Sequence, residues 1–152
     1  MFFTIFVTMN RIQFYSADSQ INITHRQGYK SIVQQLFSNE KKNLKRISFM
    51  FCSDKYILKL NRDFLNHDYY TDILTFLISD SDQSIEGEVY MSIDRIKENA
   101  KIFNVPYQNE LLRVMIHGAL HLCGYEDKSK VQKQLMKKKE NFYIDGYYKN
   151  FT

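Results

Sequence analysis

Cysteine, proline and glycine are all scarce in this sequence of 152 residues. The two cysteines, Cys52 and Cys123, are too few for a disulfide framework and form no CxxC pair, so we expect a reducing compartment. The only proline is Pro106, and with five glycines there is no Pro/Gly-rich linker to divide the chain. We therefore predict one domain that spans residues 1–152.

The sequence also lacks an apolar run long enough to cross a bilayer. Its start, MFFTIFVTM, is too short for a membrane span and has neither the basic region nor the small-residue cleavage site of a secretory signal. We expect a soluble, cytoplasmic protein with no membrane partner, in which residues 1–8 are either an N-terminal extension or the result of a misplaced start codon.

Aromatic and basic residues, in contrast, are abundant. Twelve phenylalanines and eleven tyrosines, within a hydrophobic fraction of 44%, predict a packed globular core. The net charge of +4 is unevenly spread: residues 1–53 carry seven basic and two acidic side chains, residues 54–98 carry five and ten, and residues 126–152 carry seven and four. Basic clusters at 41–46 and 128–139 can follow a phosphate backbone, although a solvated helix face is the simpler explanation.

Hydrophobic periodicity predicts the secondary structure. We expect strands at 11–15, 45–52, 72–78 and 87–92, the last two as a hairpin, and helices at 25–38, from Ser53 onward, at 93–103, at 107–122 and at 128–142. Phe64 and Phe103 are predicted on the buried stripes of their helices. This order predicts an α/β fold in the broad sense, or α+β, in which a small mixed β-sheet and its helices surround the apolar helix 107–122.

The apolar helix carries the most informative pattern in the chain, H-x-x-x-H-x-x-G-x-x-D. His117 and His121 are four residues apart and share one helix face, so both imidazoles can reach one metal ion. Gly124 can end the helix in a left-handed turn, which would bring Asp127 or its neighbour Glu126 round as a third ligand. Three protein ligands with an open position are typical of a catalytic metal site.

The same spacing occurs in the metzincin proteases, whose motif is H-E-x-x-H-x-x-G-x-x-H. Their general base is the glutamate that follows the first histidine. Here that position is Gly118, which has no side chain to accept a proton. Peptide hydrolysis by that mechanism is therefore not expected, although the potential metal ligands are retained.

Three segments resemble a known family. The run HGALHLCGYED at 117–127 is similar to H-G-x-L-H-L-x-G-Y-D-H, the signature of the YbeY family of bacterial metal-dependent endoribonucleases involved in ribosomal RNA maturation. Residues 60–76, LNRDFLNHDYYTDILTF, resemble the family's L-N-x-x-Y-R … T-D-V-L-S-F segment, and residues 87–92, GEVYMS, resemble its G-D-I-x-I-S strand. The resemblance extends from residue 11 to residue 142.

This resemblance implies a single-strand-directed endoribonuclease that acts in the maturation of the 3′ end of small-subunit ribosomal RNA and in ribosome quality control. It also implies one divalent metal ion, with zinc as the expected metal, held by His117, His121 and Asp127. The implied partner is ribosomal RNA within the small ribosomal subunit, and no organic cofactor is expected. A metal-dependent hydrolase of peptides or small molecules and a non-catalytic RNA-binding assembly factor remain alternatives.

Two departures from the family pattern affect the expected chemistry. The family's third metal-binding histidine falls on Asp127, preceded here by Glu126. A carboxylate ligand makes a bound water less acidic and favours harder ions such as manganese or iron. Leu65 stands where the family has an arginine suited to phosphate, so Arg62, His67 or the basic clusters would have to replace it.

The sequence identifies no general base. Glu126 and Glu88 are candidates, with a structural or surface role as the simpler interpretation. Asp72 fits a loop cap as well as a substrate contact. Four tyrosines can either stack on unpaired bases or belong to the core and its rim: Tyr69, Tyr70, Tyr90 and Tyr125.

Overall fold

The computed structural model describes residues 11–66, 71–79 and 84–151. Four strands and five helices lie within these ranges: β1 (Ile12–Ser16), α1 (Arg26–Asn39), β2 (Asn43–Cys52), α2 (Asp54–Leu65), β3 (Ile73–Ser79), β4 (Ser84–Ser92), α3 (Ile93–Ile102), α4 (Tyr107–Leu122) and α5 (Lys130–Phe151). The predicted extension at 1–8 and the roles considered for His67, Tyr69 and Tyr70 lie outside the described residues.

The strands form one mixed sheet in the order β1-β2-β4-β3. β1, β2 and β4 are parallel, whereas β3 pairs antiparallel with β4, as the predicted hairpin requires. The register places Phe14, Phe49 and Val89 side by side on one face, which α1 and α4 cover. The prediction of a mixed sheet in a single α/β domain is confirmed.

Helix α4 is central, as its apolar surface predicted, and Gly118 allows it to lie very close to the sheet. A Cβ atom at this position would be 2.6 Å from Val89 Cγ1 and 2.9 Å from Ile73 Cδ1, which are distances that side chains do not tolerate. The glycine that removes the protease base therefore also has a packing role. It sets the height of the histidine-bearing helix above β3 and β4.

Helix α2 lies on the opposite face and begins as predicted, because Ser53 Oγ accepts a hydrogen bond of 3.2 Å from the Tyr56 N–H. The prediction that Phe64 is buried was wrong, since it is 69% exposed. The buried stripe of α2 is rotated around the helix and includes Asn61. Phe103 was also wrongly predicted to be buried: it caps the end of α3, where the chain leaves the core, and is 57% exposed.

Helix α5 packs against α1 and α4 and is longer than predicted, ending at Phe151 rather than near residue 142. Its buried stripe consists of Met136, Glu140, Tyr143 and Tyr147, which keep helical spacing to the end. A glutamate within the stripe and lysines around it weaken the apolar signal in the sequence. No helix among the described residues is long and apolar enough to cross a membrane.

Candidate metal centre

The chain reversal after α4 is what brings the third potential ligand to the two histidines. Gly124 has a φ of +104°, which favours glycine. Its N–H donates to the His121 carbonyl at 3.0 Å, and the Tyr125 N–H donates to the Leu120 carbonyl at 3.1 Å. This pair of bonds defines a Schellman turn, and it directs the chain back along α4 so that Asp127 faces the histidines.

Three ligand atoms converge at this point. His117 Nε2 and His121 Nε2 are 3.0 Å apart. Asp127 Oδ2 lies 3.2 Å from His117 Nε2 and 3.5 Å from His121 Nε2. In the part of the chain that the structure describes, these residues form the one group of histidine, cysteine and carboxylate side chains that could hold a metal ion. The Schellman turn thus brings together the three residues that the sequence singled out.

The other ring nitrogens are held by acceptors. His117 Nδ1 lies 2.9 Å from Glu140 Oε2, and His121 Nδ1 lies 2.9 Å from the Tyr125 carbonyl oxygen. An ionised carboxylate and a carbonyl can only accept, so each Nδ1 carries the hydrogen. Each neutral ring consequently directs an unprotonated Nε2 lone pair toward Asp127 and toward the other ring.

This donor set fits a divalent cation. When both rings are neutral, two imidazole lone pairs and one carboxylate oxygen meet with no donor hydrogen between them, an arrangement that repels unless a positive charge lies among them. A tetrahedral zinc ion with bonds of about 2.0–2.1 Å separates its ligand atoms by about 3.3 Å. The three separations seen here are 3.0, 3.2 and 3.5 Å. His117, His121 and Asp127 can therefore hold one ion with little movement.

The support behind His117 is a buried ionic network. Arg113 Nη1 donates to Glu140 Oε1 at 2.9 Å, and Arg113 Nε donates to Glu110 Oε2 at 3.0 Å. Glu140 and Glu110 are 5% and 2% exposed. Burial acts to raise the pKa of Glu140, but His117 and Arg113 outweigh it and hold the pKa below its usual range. Glu140 is thus an anion that orients the His117 ring.

The two rings have pKa values shifted in opposite directions. Burial lowers the pKa of His117, but the hydrogen bond and charge of Glu140 outweigh it, with smaller contributions from Asp127 and Asp72, so the pKa is raised. Burial lowers the pKa of His121, and the neighbouring His117 lowers it further. The carboxylate support makes His117 the more basic donor.

The sequence analysis missed Glu140 and Arg113. The signal was present, because Glu140 lies four residues after Met136 and three before Tyr143, on an otherwise apolar stripe. A carboxylate at such a position requires a partner. The partners are on α4, which the sequence alone does not place beside α5.

The structure separates the candidate bases. Glu126 is exposed and lies 3.5 Å from the Gln132 amide, away from the histidines. Glu88 accepts from the Tyr90 hydroxyl at 2.9 Å on the sheet face opposite α4. Both therefore have the surface or structural role that was the simpler interpretation. Asp72 is different, because its negative charge contributes to raising the pKa of His117.

The remaining candidates are the tyrosines considered for base stacking and the residues considered for phosphate binding. Tyr90 stacks on Tyr56 with ring centroids 6.4 Å apart, and the Tyr125 hydroxyl donates to the carboxylate of Glu40 at the end of α1, so both side chains have partners within the chain. Leu65, at the family's arginine position, is 40% exposed. In the first basic cluster, Lys45 and Arg46 pair with Glu86.

Two other basic residues lie near the reversal after α4. Lys41 and Lys42 line an open groove of about 410 Å³ together with Cys123 and Gly124. They belong to the turn between α1 and β2, so a rigid helix end determines their position. The lysines of α5 at 130, 133, 137 and 138 are exposed.

Several known proteins with similar sequences have the name Endoribonuclease YbeY. The family model described as Endoribonuclease YbeY matches residues 11–148. An Endoribonuclease YbeY from Cytophaga hutchinsonii is 42% identical over 130 residues, which cover 86% of this chain and 91% of that protein. Another, from Flavobacterium psychrophilum, is 42% identical and the match covers 84% of this chain and 90% of that protein.

A solved structure is similar as well. The solution structure of a Thermotoga maritima protein has a TM-score of 0.66 and 27% identity, and the match covers 92% of this chain and 91% of the other. Fold and sequence together define the class of protein, that of the hydrolases called endoribonucleases. Within this class, the chain belongs to the YbeY family. The resemblance found in the sequence is confirmed.

Proposed function

We propose that this protein is a metal-dependent endoribonuclease that cleaves single-stranded RNA during ribosomal RNA maturation. The observation that carries the proposal is the convergence of two Nε2 lone pairs and one carboxylate oxygen within 3.5 Å, in a chain of an endoribonuclease family. Acceptors on both Nδ1 atoms support a cation rather than a hydrogen bond between the rings.

The chain's own residues provide positioning for hydrolysis. A divalent ion, when bound, supplies Lewis acidity for the phosphodiester and for the attacking water. His117, His121 and Asp127 would hold that ion, and three protein ligands would leave a fourth coordination position for water or substrate. Lys41 and Lys42 would bind phosphates of the RNA strand and fix its position.

Asp72 is the proton acceptor that we propose. Asp72 directly precedes Ile73, whose side chain packs against Gly118 beside His117, and its negative charge acts on the His117 ring, whereas Glu88 and Glu126 bind Tyr90 and Gln132 instead. An Asp72→Asn protein is expected to bind metal normally and to cleave RNA about 100-fold more slowly, the lower end for loss of a general base. Single-turnover cleavage at saturating metal measures this effect, and an unchanged rate would remove Asp72 from the mechanism.

We propose zinc as the metal, because two imidazoles and one carboxylate in a tetrahedral arrangement suit zinc. Asp127 in place of a third imidazole leaves manganese and iron as competitors, since harder ions prefer oxygen ligands. Metal analysis of protein purified without added metal, followed by reconstitution with each ion, identifies the one that supports cleavage.

The proposed partner is ribosomal RNA in the small ribosomal subunit, and the proposed location is the cytoplasm, where ribosomes are assembled. The proposed roles are maturation of the 3′ end of the small-subunit RNA and ribosome quality control. Relatives named Endoribonuclease YbeY support the endoribonuclease activity on which these proposals depend. Precursor small-subunit RNA incubated with the protein, alone and within assembled subunits, tests whether the 3′ end is the cleaved site.

The decisive experiment compares RNA cleavage with metal binding. Wild type, His117→Ala and Asp127→Ala proteins of measured metal content are incubated with single-stranded RNA, duplex RNA and a peptide library. We expect cleavage of single strands by the wild type only. RNA binding without cleavage by folded, metal-replete wild type would support an assembly factor instead. Peptide cleavage without RNA cleavage would support a hydrolase of another class.

A further inference from the structure

Another largely enclosed carboxylate, that of Glu40, lies outside the proposed ligand set at the end of α1. The Glu40 side chain is 9% exposed. Its Oε1 accepts from the Tyr125 hydroxyl at 2.5 Å, and its Oε2 accepts from the Tyr143 hydroxyl at 2.5 Å and from Lys139 Nζ at 3.1 Å. One carboxylate from α1 therefore joins α5 to the loop that follows α4.

Both the backbone and the side chain of Glu40 are held in place by hydrogen bonds. The Glu40 backbone N–H donates to the Leu36 carbonyl at 2.9 Å and so closes helix α1. Burial acts to raise the pKa of the side chain, but the bonds from Tyr125, Tyr143 and Lys139 outweigh it, and the pKa is lowered. Glu40 is thus a fixed anion at neutral pH, and hydrogen bonds to an ionised acceptor are stronger than neutral ones.

Tyr125 is the residue through which Glu40 reaches the metal centre. Its hydroxyl binds Glu40, its N–H donates to the Leu120 carbonyl at 3.1 Å, and its own carbonyl lies 2.9 Å from His121 Nδ1. Tyr125 also precedes Asp127 by two positions. Movement of its ring would therefore move the acceptor that orients one potential ligand and the backbone that carries another.

We infer that Glu40 is a positioning residue of the metal centre, which acts by holding Tyr125 so that the loop orients His121 and presents Asp127. The expected effect of Glu40 on metal affinity rests on the proposed metal site. The contacts themselves join residues of this chain alone. Sequence reasoning could not find Glu40, because it is 85 residues from Tyr125.

A purely structural role is the alternative, since Glu40 also binds Tyr143 and Lys139 on α5. The chain offers a matched pair of variants that separates the two roles. Tyr125→Phe and Tyr143→Phe each remove one hydroxyl from the same carboxylate. Only the first residue touches His121.

The test measures zinc affinity by competition with a chelator, and the absorption spectrum of the cobalt-substituted protein. Glu40→Ala and Tyr125→Phe are each expected to weaken zinc binding about tenfold, the low end for groups that orient metal ligands. Both should alter the cobalt spectrum. The double variant should be no weaker than either single variant, because the two residues act in series. Tyr143→Phe should keep wild-type affinity.

The inference is overturned if Glu40→Ala binds zinc as tightly as wild type, or if Tyr143→Phe loses as much affinity as Tyr125→Phe. Should Glu40→Ala fail to fold, Glu40→Gln keeps the volume, removes the charge and is judged by the same comparison. It should weaken zinc binding while Tyr143→Phe does not, and wild-type affinity in Glu40→Gln would overturn the inference.

A second readout needs no metal. In the metal-free protein, amide hydrogen exchange at Gly124 and Tyr125 should be faster in Glu40→Ala and Tyr125→Phe than in Tyr143→Phe. If wild type binds no metal, the proposed function fails, and exchange alone decides whether Glu40 positions the loop. Equal exchange in all variants would overturn the inference.

Discussion

The two imidazoles of the metal centre are supported in different ways. His117 is held by the carboxylate of Glu140, 23 residues along the chain on another helix. His121 is held by the Tyr125 carbonyl, only four residues along the chain. The first support is an ionised side chain in a buried network with Arg113, whereas the second is main chain in a turn that Gly124 makes possible.

This difference determines which changes can damage each support. A single substitution removes a carboxylate, but no side-chain substitution removes a carbonyl. The support of His121 is therefore sensitive only to changes that alter the path of the loop, such as those at Gly124. The carboxylate also makes His117 the stronger donor, which partly offsets the weaker donation expected from His121.

Metal addition reports on both supports together and should give the largest effect. A ligand at 1,000 times its Kd stabilises a folded protein by about 4.1 kcal/mol. For a chain of this size that is a rise in Tm of about 2–4 °C per kcal/mol. We expect zinc to raise the Tm of wild type and a chelator to reverse the shift. A His117→Ala protein serves as the control, and an equal shift in it would place zinc elsewhere.

Replacement of Glu140 should break the first support. Glu140→Gln keeps the volume but cannot accept from both His117 and Arg113, so zinc affinity should fall about 10–100-fold. Glu110→Gln is the matched control, because Glu110 is buried, carries the same charge and binds Arg113 without touching His117. Chelator competition on both proteins distinguishes them. Equal losses of zinc affinity in the two proteins would mean that the affinity depends on the total charge around Arg113 and not on the contact between Glu140 and His117.

The sequence was sufficient to predict the sheet, the central helix and the convergence of His117 and His121 with a carboxylate after Gly124, because each depends on short-range patterns. The choice of Asp127 over Glu126 came from the resemblance to the family. Alternating strands, an apolar helix and a glycine turn all act over a few residues. The support of His121 belongs to the same class, since it depends on the turn at Gly124. This support of His121 could have been inferred from the Gly124–Tyr125 pair that follows the helix.

The support of His117 could not be predicted in the same way. Glu140 and Arg113 are 27 residues apart and meet only because α5 packs against α4. The errors at Phe64 and at the end of α5 have a related cause. Each depends on where one helix lies relative to its neighbours, and the periodicity of a single helix does not contain that information.

A substitution in the turn at Gly124 should weaken the support of His121. We expect this effect to be smaller than that of Glu140→Gln on the support of His117. Gly124→Ala places a side chain at a φ of +104°, which costs about 1–2 kcal/mol. It should also reduce zinc affinity, because the turn sets the Tyr125 carbonyl. Gly146→Ala is the control with the opposite sign: it lies inside α5, its nearest heavy atom would be 3.8 Å away, and alanine should stabilise that helix by about 0.5–1 kcal/mol. Urea unfolding measures both.

The smallest effect is expected at Glu126. This residue lies between Tyr125, whose carbonyl supports His121, and Asp127, which faces both imidazole rings. Its side chain is exposed and directed toward Gln132, so Glu126→Ala should change stability and zinc affinity by no more than about 0.5 kcal/mol, or about twofold. Asp127→Ala should abolish tight binding. The reverse result would shift the third ligand by one residue, and the turn after α4 would then have to rearrange when metal binds.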